Sequence, residues 1–363
     1  MNKYNFLIVS KEAWGDTRWA RKQWLPYALS KREDVNKVLY LDRHAAWWRG
    51  EKSHGLEQHG KVHVIQKALC VPLERVACVR DFNRKRVANG ISSLLHGRGN
   101  WVSIFYHPYD FAMVSVLQQK TKVVFDWTED WAVFHANDEM KALQEKCVKH
   151  ADIVLTVTQA LYKRAVAWRG SDAHVYHVPN ATALAIQPIQ SEPKALAHIA
   201  KPRIGFVGHA GPWFDAKLVR WLSEKRKDWQ WVMIGGASDA SKQVLGGQSN
   251  IHWLGTKQPQ ELLSYMQHCD VLVAPYIAGI QGDATKLYDY LVAQKPIIAT
   301  ACETAEHLQP WVTMCKTEQG WLQALDASLN APSQHTIAND AAMQKHQWPA
   351  RAEQVMRIVQ GAA

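Results

Sequence analysis

The chain alternates strand-like and helix-like stretches along most of its length, and that alternation stops once and begins again. Continuous apolar runs such as Tyr4-Asn5-Phe6-Leu7-Ile8-Val9 read as strands buried on both faces. In the first half the pattern predicts strands at 4–9, 38–41, 62–65, 101–106, 122–126, 153–157 and 174–178. Helical stretches lie between them, for example 19–30, 75–95 and 138–150. Residues 183–201 are rich in Ala, contain two Pro and are only weakly periodic, which marks a linker. At Arg203-Ile204-Gly205-Phe206-Val207-Gly208 the alternation restarts. Strands follow at 230–234, 250–254, 271–274 and 296–299, with helices at 215–225, 258–268, 284–294 and 318–329. Strand–helix alternation gives parallel sheets covered by helices on both faces. The expected fold class is therefore α/β, with two facing Rossmann-like domains. Ligands of such sheets bind beyond the carboxyl ends of the strands, here in a cleft between the domains. The expected division is a first domain over 1–185, a linker over 186–201 and a second domain over 202–339. A last helix within 340–363 is expected to pack back on the first domain.

With 363 residues the chain has room for two domains, and 47% hydrophobic content with 21% charge is that of a folded protein. No apolar run approaches the roughly 20 residues that span a bilayer. The amino terminus enters a strand without a signal-peptide layout, so a cytoplasmic location is expected. Cysteines 70, 78, 147, 269, 302 and 315 form no C-x-x-C pair and no metal-type pairing with histidines. They read as reduced thiols, and no metal site is expected. Charge is unevenly placed. Residues 1–110 hold 19 Lys and Arg against 10 Asp and Glu, a net of +9 within a total of +10. Such asymmetry points to an anionic partner of the first third, or to a solubility surplus. Arg18-Trp19 and Trp47-Trp48-Arg49 pair aromatics with cations, as membrane-surface and sugar-binding segments do. No nucleic-acid reading motif accompanies the charge.

The stretch from Gly282 to Leu291, followed by Lys295-Pro296-Ile297-Ile298-Ala299, reads as loop, helix and buried strand. Leu287, Tyr290 and Leu291 make an apolar stripe, while Thr285, Lys286 and Asp289 share a polar face. Asp283 or Thr285 can cap the helix. Free N–H groups, a lysine near the helix start and a carboxylate one turn on suit a nucleoside diphosphate: phosphates at the positive end, ribose hydroxyls at the carboxylate. An ordinary solvated helix face has the same composition. Upstream, Gly208 and Gly211 of Gly208-His209-Ala210-Gly211-Pro212-Trp213-Phe214-Asp215 follow a strand and precede a helix, where glycines let the backbone approach a phosphate. Their spacing is not G-x-G-x-x-G.

Taken together, these elements resemble the GT-B glycosyltransferases, in particular the retaining group-1 (family 4) type in polysaccharide biosynthesis. Asp16-Thr17-Arg18-Trp19-Ala20-Arg21-Lys22-Gln23 looks like the D-x-R-W-x-R-x-Q opening of one branch. Tyr106-His107-Pro108 is similar to its Y-x-P element, and Asp126 through Asp130 to its Y-D-x-x-D-D segment. Val178-Pro179-Asn180-Ala181 is similar to V-P-N-G, Gly208 through Asp215 to G-x-x-x-x-W-F-D, and Lys286 through Leu291 to K-L-F-E-Y-L. The resemblance implies a sugar nucleotide, UDP- or GDP-linked, held by the second domain through Gly208, His209, Gly211, Asp283, Thr285, Lys286 and Asp289. It implies a saccharide or lipid-linked acceptor on the first domain, retention of configuration, and no cofactor or metal. The family's ribose-binding glutamate falls on Asp289, and the Arg and Lys that often grip the diphosphate are His209 and Ala210 here. That shifts the expected diphosphate charge onto Lys286 and helix N-termini.

Three groups in the first half are candidates for acceptor binding and chemistry. His107, ending a strand, either bonds the donor sugar or orients the acceptor, or is a satisfied strand-end histidine. Asp126, Glu129 and Asp130 either bind sugar hydroxyls or cap a helix. Arg18 and Arg21 either meet an acceptor phosphate or form a surface pair, and Asp16 just before them is a further acceptor-binding candidate. The catalytic candidates are thus His107, Asp126 and Lys286. The basic clusters Arg18/Arg21/Lys22, Trp47/Trp48/Arg49 and Arg80/Arg84/Lys85/Arg86 are candidates for an anionic membrane surface. The alternatives are a sugar-nucleotide epimerase of the same fold and an inactive sugar-nucleotide-binding homologue.

Overall fold

The computed structural model describes residues 3–16, 19–42, 45, 56–66, 71–95, 100–131, 138–279, 283–331 and 339–361. Arg18, the Trp47-Trp48-Arg49 run and Gly282 lie outside the described residues. The chain divides into two units, one of Met1–Asn180 with Trp348–Ala363, the other of Ala181–Gln347.

The first unit runs β1 (Tyr4–Val9), α1 (Arg21–Ser30), β2 (Val35–Leu41), β3 (Glu57–His59), β4 (Val62–Ile65), α2 (Ala77–Ser92), β5 (Asn100–Phe105), α3 (Val114–Leu117), β6 (Lys122–Trp127), α4 (Asp138–His150), β7 (Ile153–Thr156), α5 (Gln159–Arg169) and β8 (Val175–His177). Its sheet has the order β3-β4-β2-β1-β5-β6-β7-β8, parallel except for the β3–β4 edge pair. Central strands are sealed on both faces, and Phe6 through Val9 are at most 1% exposed. The order reverses at β1, which pairs β2 on one side and β5 on the other. Ligand sites of open parallel sheets lie beyond the carboxyl ends of strands at such a reversal. Here those ends lead into Ser10-Lys11-Glu12 and Tyr106-His107.

The second unit runs β9 (Arg203–Val207), α6 (Ala216–Lys225), β10 (Gln230–Ile234), α7 (Asp239–Leu245), β11 (Ile251–Gly255), α8 (Pro259–Gln267), β12 (Val271–Ala274), α9 (Lys286–Leu291), β13 (Ile297–Thr300), α10 (Glu303–His307), β14 (Val312–Cys315), α11 (Glu318–Asn330) and α12 (Asp340–Gln344). The sheet order is β11-β10-β9-β12-β13-β14, all parallel. Its reversal point is β9, whose end opens into the Gly208 loop.

Four expectations are corrected. The helix expected over 284–294 covers only Lys286–Leu291, because Gln294 turns into the left-handed region at φ 54 ahead of Pro296. The last helix is two, Asp340–Gln344 and α13 (Trp348–Gln360). Pro349 fits only a first helical turn, so the chain restarts there. Helix α13 belongs to the first unit and packs on α1, with Lys122 Nζ donating to the Val359 carbonyl at 3.1 Å. Residues 186–201 are not a free linker. Gln267 donates to the Gln187 and Pro188 carbonyls at 3.1 and 3.3 Å, Arg203 donates to the Ile199 and Leu196 carbonyls at 2.8 Å each, and Leu196 is fully buried. The segment's Ala and Pro content and weak periodicity hide these plugs. Finally, Arg80 and Arg84 do not face solvent, being 3% exposed each. Arg84 pairs with buried Asp110 at 2.9 Å and with Glu74 at 3.0 Å, and Arg80 pairs with Glu139 at 2.6 Å over the Tyr109 ring.

Candidate active site

At the end of β9 the chain turns sharply. Gly208 adopts φ 141 and donates its N–H to the Ile234 carbonyl at 2.8 Å. The loop after β10 lies against it: Ala210 N–H bonds the Gly236 carbonyl at 2.9 Å, and Ser238 N–H the Ala210 carbonyl at 3.0 Å. Contact between the two loops is so close that a Cβ on Gly235, itself at φ 127, would stand 2.1 Å from the Gly208 oxygen. Gly211 is buried between the His209 and Trp213 rings, while His209 itself is exposed. Asp215 accepts the Leu218 N–H at 2.9 Å and caps α6, so it serves the helix.

Helix α9 is anchored beneath this loop by Tyr290. Its hydroxyl accepts the Val207 N–H at 2.8 Å and donates to the Val273 carbonyl at 3.2 Å, tying the ends of β9 and β12 to the helix. One turn earlier, Lys286 projects at the loop: a Cβ on Gly208 would lie 2.8 Å from its Nζ. The ammonium stands over the Phe206 ring at 4.0 Å and the Tyr276 ring at 5.1 Å. Among the described residues no carboxylate lies within ion-pair distance of it. Burial lowers Lys286 from 10.5 to about 7. On the same helix, burial raises Asp289 to about 6, partly offset by the Thr182 hydroxyl, which donates to its Oδ1 at 2.6 Å. Leu287, Tyr288, Tyr290 and Leu291 are buried as the apolar side, and Lys286 and Asp289 are half-buried.

The expected side-chain caps of this helix are corrected. Thr285 sits at the N-cap in helical conformation without a side-chain cap bond. Asp283 instead accepts the Thr304 hydroxyl at 2.7 Å, and that hydroxyl accepts the Ala284 N–H at 2.9 Å. Both side chains fix the approach to the helix from the side.

In the first unit, Arg21 and Asp126 are partners. Arg21 Nε and Nη2 donate to the two Asp126 oxygens at 2.8 and 3.0 Å, and Nη1 to the Pro179 carbonyl at 3.1 Å. Both residues are buried, Asp126 completely. Burial pushes the Asp126 carboxyl up and Arg21 opposes it. The two are therefore neither a phosphate clamp nor a reacting carboxylate; they lock α1 to β6. Asp130 also has partners: it pairs with Arg164 and accepts from Gln144 at 3.2 Å, so its carboxylate does not stand open for a sugar, while the helix turn it was expected to cap falls on residues outside the described ones. His107 is buried and caps the turn at Pro108–Met113, its Nδ1 accepting the Tyr109 N–H at 3.1 Å. Its ring packs on Trp131 and Tyr109, with centroids 4.5 and 4.9 Å away. Asp16 is exposed. Glu129 is half-buried and raised by that burial, with Lys22 opposing and Glu12 adding to the rise.

Sequence reasoning missed Glu12 and Lys11 here, and took Lys22 only as part of a surface cluster. Lys22 pairs with Glu12 at 2.5 Å and lies over Trp131 at 5.3 Å. Lys11 stands over Tyr109 at 4.9 Å, and burial lowers it to about 8. Lys11 and Glu12 lie in the loop after β1 and Lys22 in the first turn of α1, and only the position of that loop after a central strand signalled a role. No group of three metal-type ligands occurs among the described residues.

Residues 201–330 match the family described as glycosyl transferases group 1. TuaH of Bacillus subtilis (strain 168), provisionally assigned as a teichuronic acid biosynthesis glycosyltransferase, is 22% identical over 334 residues, or 84% of this chain and 83% of that protein. Among solved structures, sucrose-phosphate synthase from Thermosynechococcus elongatus superposes with a TM-score of 0.74 at 12% identity, covering 99% of this chain and 98% of the other. Anabaena HepE in complex with UDP gives 0.71 at 14% identity, covering 99% and 100%. The same protein in complex with UDP-glucose gives 0.71. At such identities these structures establish a shared fold.

Proposed function

For this chain, a GT-B glycosyltransferase with a group 1 domain acting in polysaccharide biosynthesis, we propose that the second unit binds a sugar nucleotide by its diphosphate. The sugar, UDP- or GDP-linked, passes with retention to a saccharide or lipid-linked acceptor served by the first unit. One observation carries the donor assignment: a lysine ammonium half-buried against the Gly208 loop, with no carboxylate partner among the described residues. An uncompensated buried cation is costly unless an anion joins it. A diphosphate supplies that anion, and HepE, of the same fold, was solved with UDP.

Breaking the bond between the sugar C1 and the β-phosphate oxygen leaves negative charge on the diphosphate. Lys286 and the Gly208–Gly211 loop stand where that charge grows, which lowers the barrier rather than the ground state. The departing phosphate oxygen takes the proton from the acceptor hydroxyl, so the reaction needs neither a protein base nor a metal. Asp289, with one oxygen on Thr182, accepts from ribose with the other. Glu129 and His107 border the acceptor. Sugar nucleotides belong to the cytoplasm, and a lipid-linked acceptor places the enzyme at the inner membrane face. No helix among the described residues is long and apolar enough to cross a membrane.

Thermal-shift measurements with UDP, GDP, ADP and TDP at pH 7 test the donor side. At 100 times its Kd a nucleotide should stabilise by about 2.7 kcal/mol. UDP or GDP should raise Tm, and Lys286→Ala should remove that rise. A panel in which no nucleoside diphosphate shifts the wild type would overturn the donor assignment. Full transfer activity in excess EDTA is expected; its loss would refute the metal-free reading.

A further inference from the structure

The turn before α2 is built with unusual care for a surface segment. Asn83 accepts the Val71 N–H at 3.0 Å and donates to the Val71 carbonyl at 2.7 Å and to Glu74 at 3.0 Å. Glu74 is gripped in turn by Arg84, which buried Asp110 holds in place. Thus both ends of the turn are pinned from beneath. The conformation so fixed puts Leu73 at φ 72, a region a leucine disfavours. Packing does not repay this, since Leu73 is 69% exposed. Val76 and Phe82 beside it are 47% and 53% exposed.

The charges around these side chains are of one sign. Arg75, Lys85 and Arg86 are all exposed. Phe82, Lys85, Arg86 and Asn89 fall at i, i+3, i+4 and i+7, on one face of α2. Glu74 is drawn inward by Arg84, and Asp81 lies 3.8 Å from Arg80. A rigid apolar ridge with a cationic border matches a surface that is hydrocarbon in depth and anionic at its head groups.

We propose that Leu73, Val76 and Phe82 form a wedge that inserts into an anionic lipid surface, with Arg75, Lys85 and Arg86 on the phosphates. The wedge rests on the transferase reading only for its purpose, which is to hold the enzyme where a lipid-linked acceptor would be. It keeps Lys85 and Arg86 of the basic clusters expected from sequence and drops Arg21, Lys22, Arg80 and Arg84, which are buried.

The test uses the full chain and sedimentation with vesicles of phosphatidylcholine alone or with 30% phosphatidylglycerol. The wild type should partition at least tenfold more strongly onto the anionic vesicles. Leu73→Ser with Phe82→Ser, which leaves charge unchanged, should lower that partition about tenfold, and Lys85→Glu with Arg86→Glu should do likewise at low salt. Each variant should keep the rise in Tm that UDP or GDP gives the wild type, which reports folding. An environment-sensitive dye on exposed Cys78, in a C70S/C302S background, should shift to the blue on anionic vesicles. Absent or equal binding to the two vesicle types would overturn the wedge. So would an unchanged partition of the serine variant, or an unshifted dye. A wild-type dimer in size-exclusion light scattering that the serine variant abolishes would mark the ridge as a contact between copies instead. If vesicle binding behaves as expected while no nucleoside diphosphate shifts the wild type, the donor assignment falls and the wedge stands.

Discussion

Replacing Lys286 by Met should make the protein more stable and unable to bind its donor. Burial lowers the ammonium from 10.5 to about 7, and each tenfold change in proton affinity is worth about 1.4 kcal/mol. The charged lysine thus costs the folded state on the order of 4–5 kcal/mol, reduced to about 2–4 kcal/mol by solvent reaching this half-buried side chain. Because the folded value lies below the unfolded one, the cost is full below pH 7 and fades as pH rises toward 10.5. Met keeps the length of the side chain and its contact with the Phe206 and Tyr276 rings. Lys286→Met should therefore raise Tm at pH 6–7 by about 5–10 °C. The gain should shrink steadily between pH 7 and 10. A diphosphate restores the proton, so UDP binding to the wild type at pH 8 should take up protons, and calorimetry in buffers of different ionisation enthalpy would count them. Unchanged or lower stability of Lys286→Met at pH 7, or an undiminished response to UDP, would refute the reasoning.

Asp289→Asn should also stabilise the unliganded protein. The carboxyl is raised to about 6, so its cost is full above pH 6 and gone below about pH 4; the gain, about 1–3 kcal/mol, should appear in denaturation at pH 8 and vanish at pH 4, with UDP affinity lowered. Gly235→Ala puts a Cβ 2.1 Å from the Gly208 oxygen; a loss of about 2 kcal/mol or more in urea unfolding and loss of the UDP-induced shift are expected. Arg21→Ala strands the buried Asp126 carboxylate and should cost about 3–5 kcal/mol, whereas Arg21→Met with Asp126→Leu should recover most of it; equal instability of the two variants would argue against a purely structural pair.

Much of the architecture was legible because parallel sheets leave a strong mark. A strand buried on both faces must be apolar throughout, so β1, β10 and β12 stand out as continuous runs between amphipathic stretches. The antiparallel β3, Glu57–His59, is exposed along its length and carries no such run. Segment 186–201 was misread for a related reason: two apolar plugs, Leu196 and Ile199, hold it, and two residues make no periodicity.

Local sequence brought out which residues of the second unit lie together, and missed how those of the first unit pair. Lys286, Asp289 and Gly208 come from two short segments whose roles follow from a strand end and a helix start, features that sequence displays. Arg21 and Asp126 are 105 residues apart, and nothing in either segment announces a pair. Read singly, an arginine on a helix and an aspartate at a strand end both suggest ligand binding. Brought together with both oxygens taken, they cancel as binding groups and become an interior lock. The same holds for Arg84 with Asp110 and for Asp130 with Arg164. Lys286 is distinguished by the opposite outcome. Folding brings it no carboxylate within ion-pair reach among the described residues, only aromatic rings and a glycine loop. A charge that the fold buries and leaves unneutralised is where an anionic ligand would lower the free energy of the whole molecule, and that asymmetry is the ground on which we propose Lys286, rather than the arginines, for the donor.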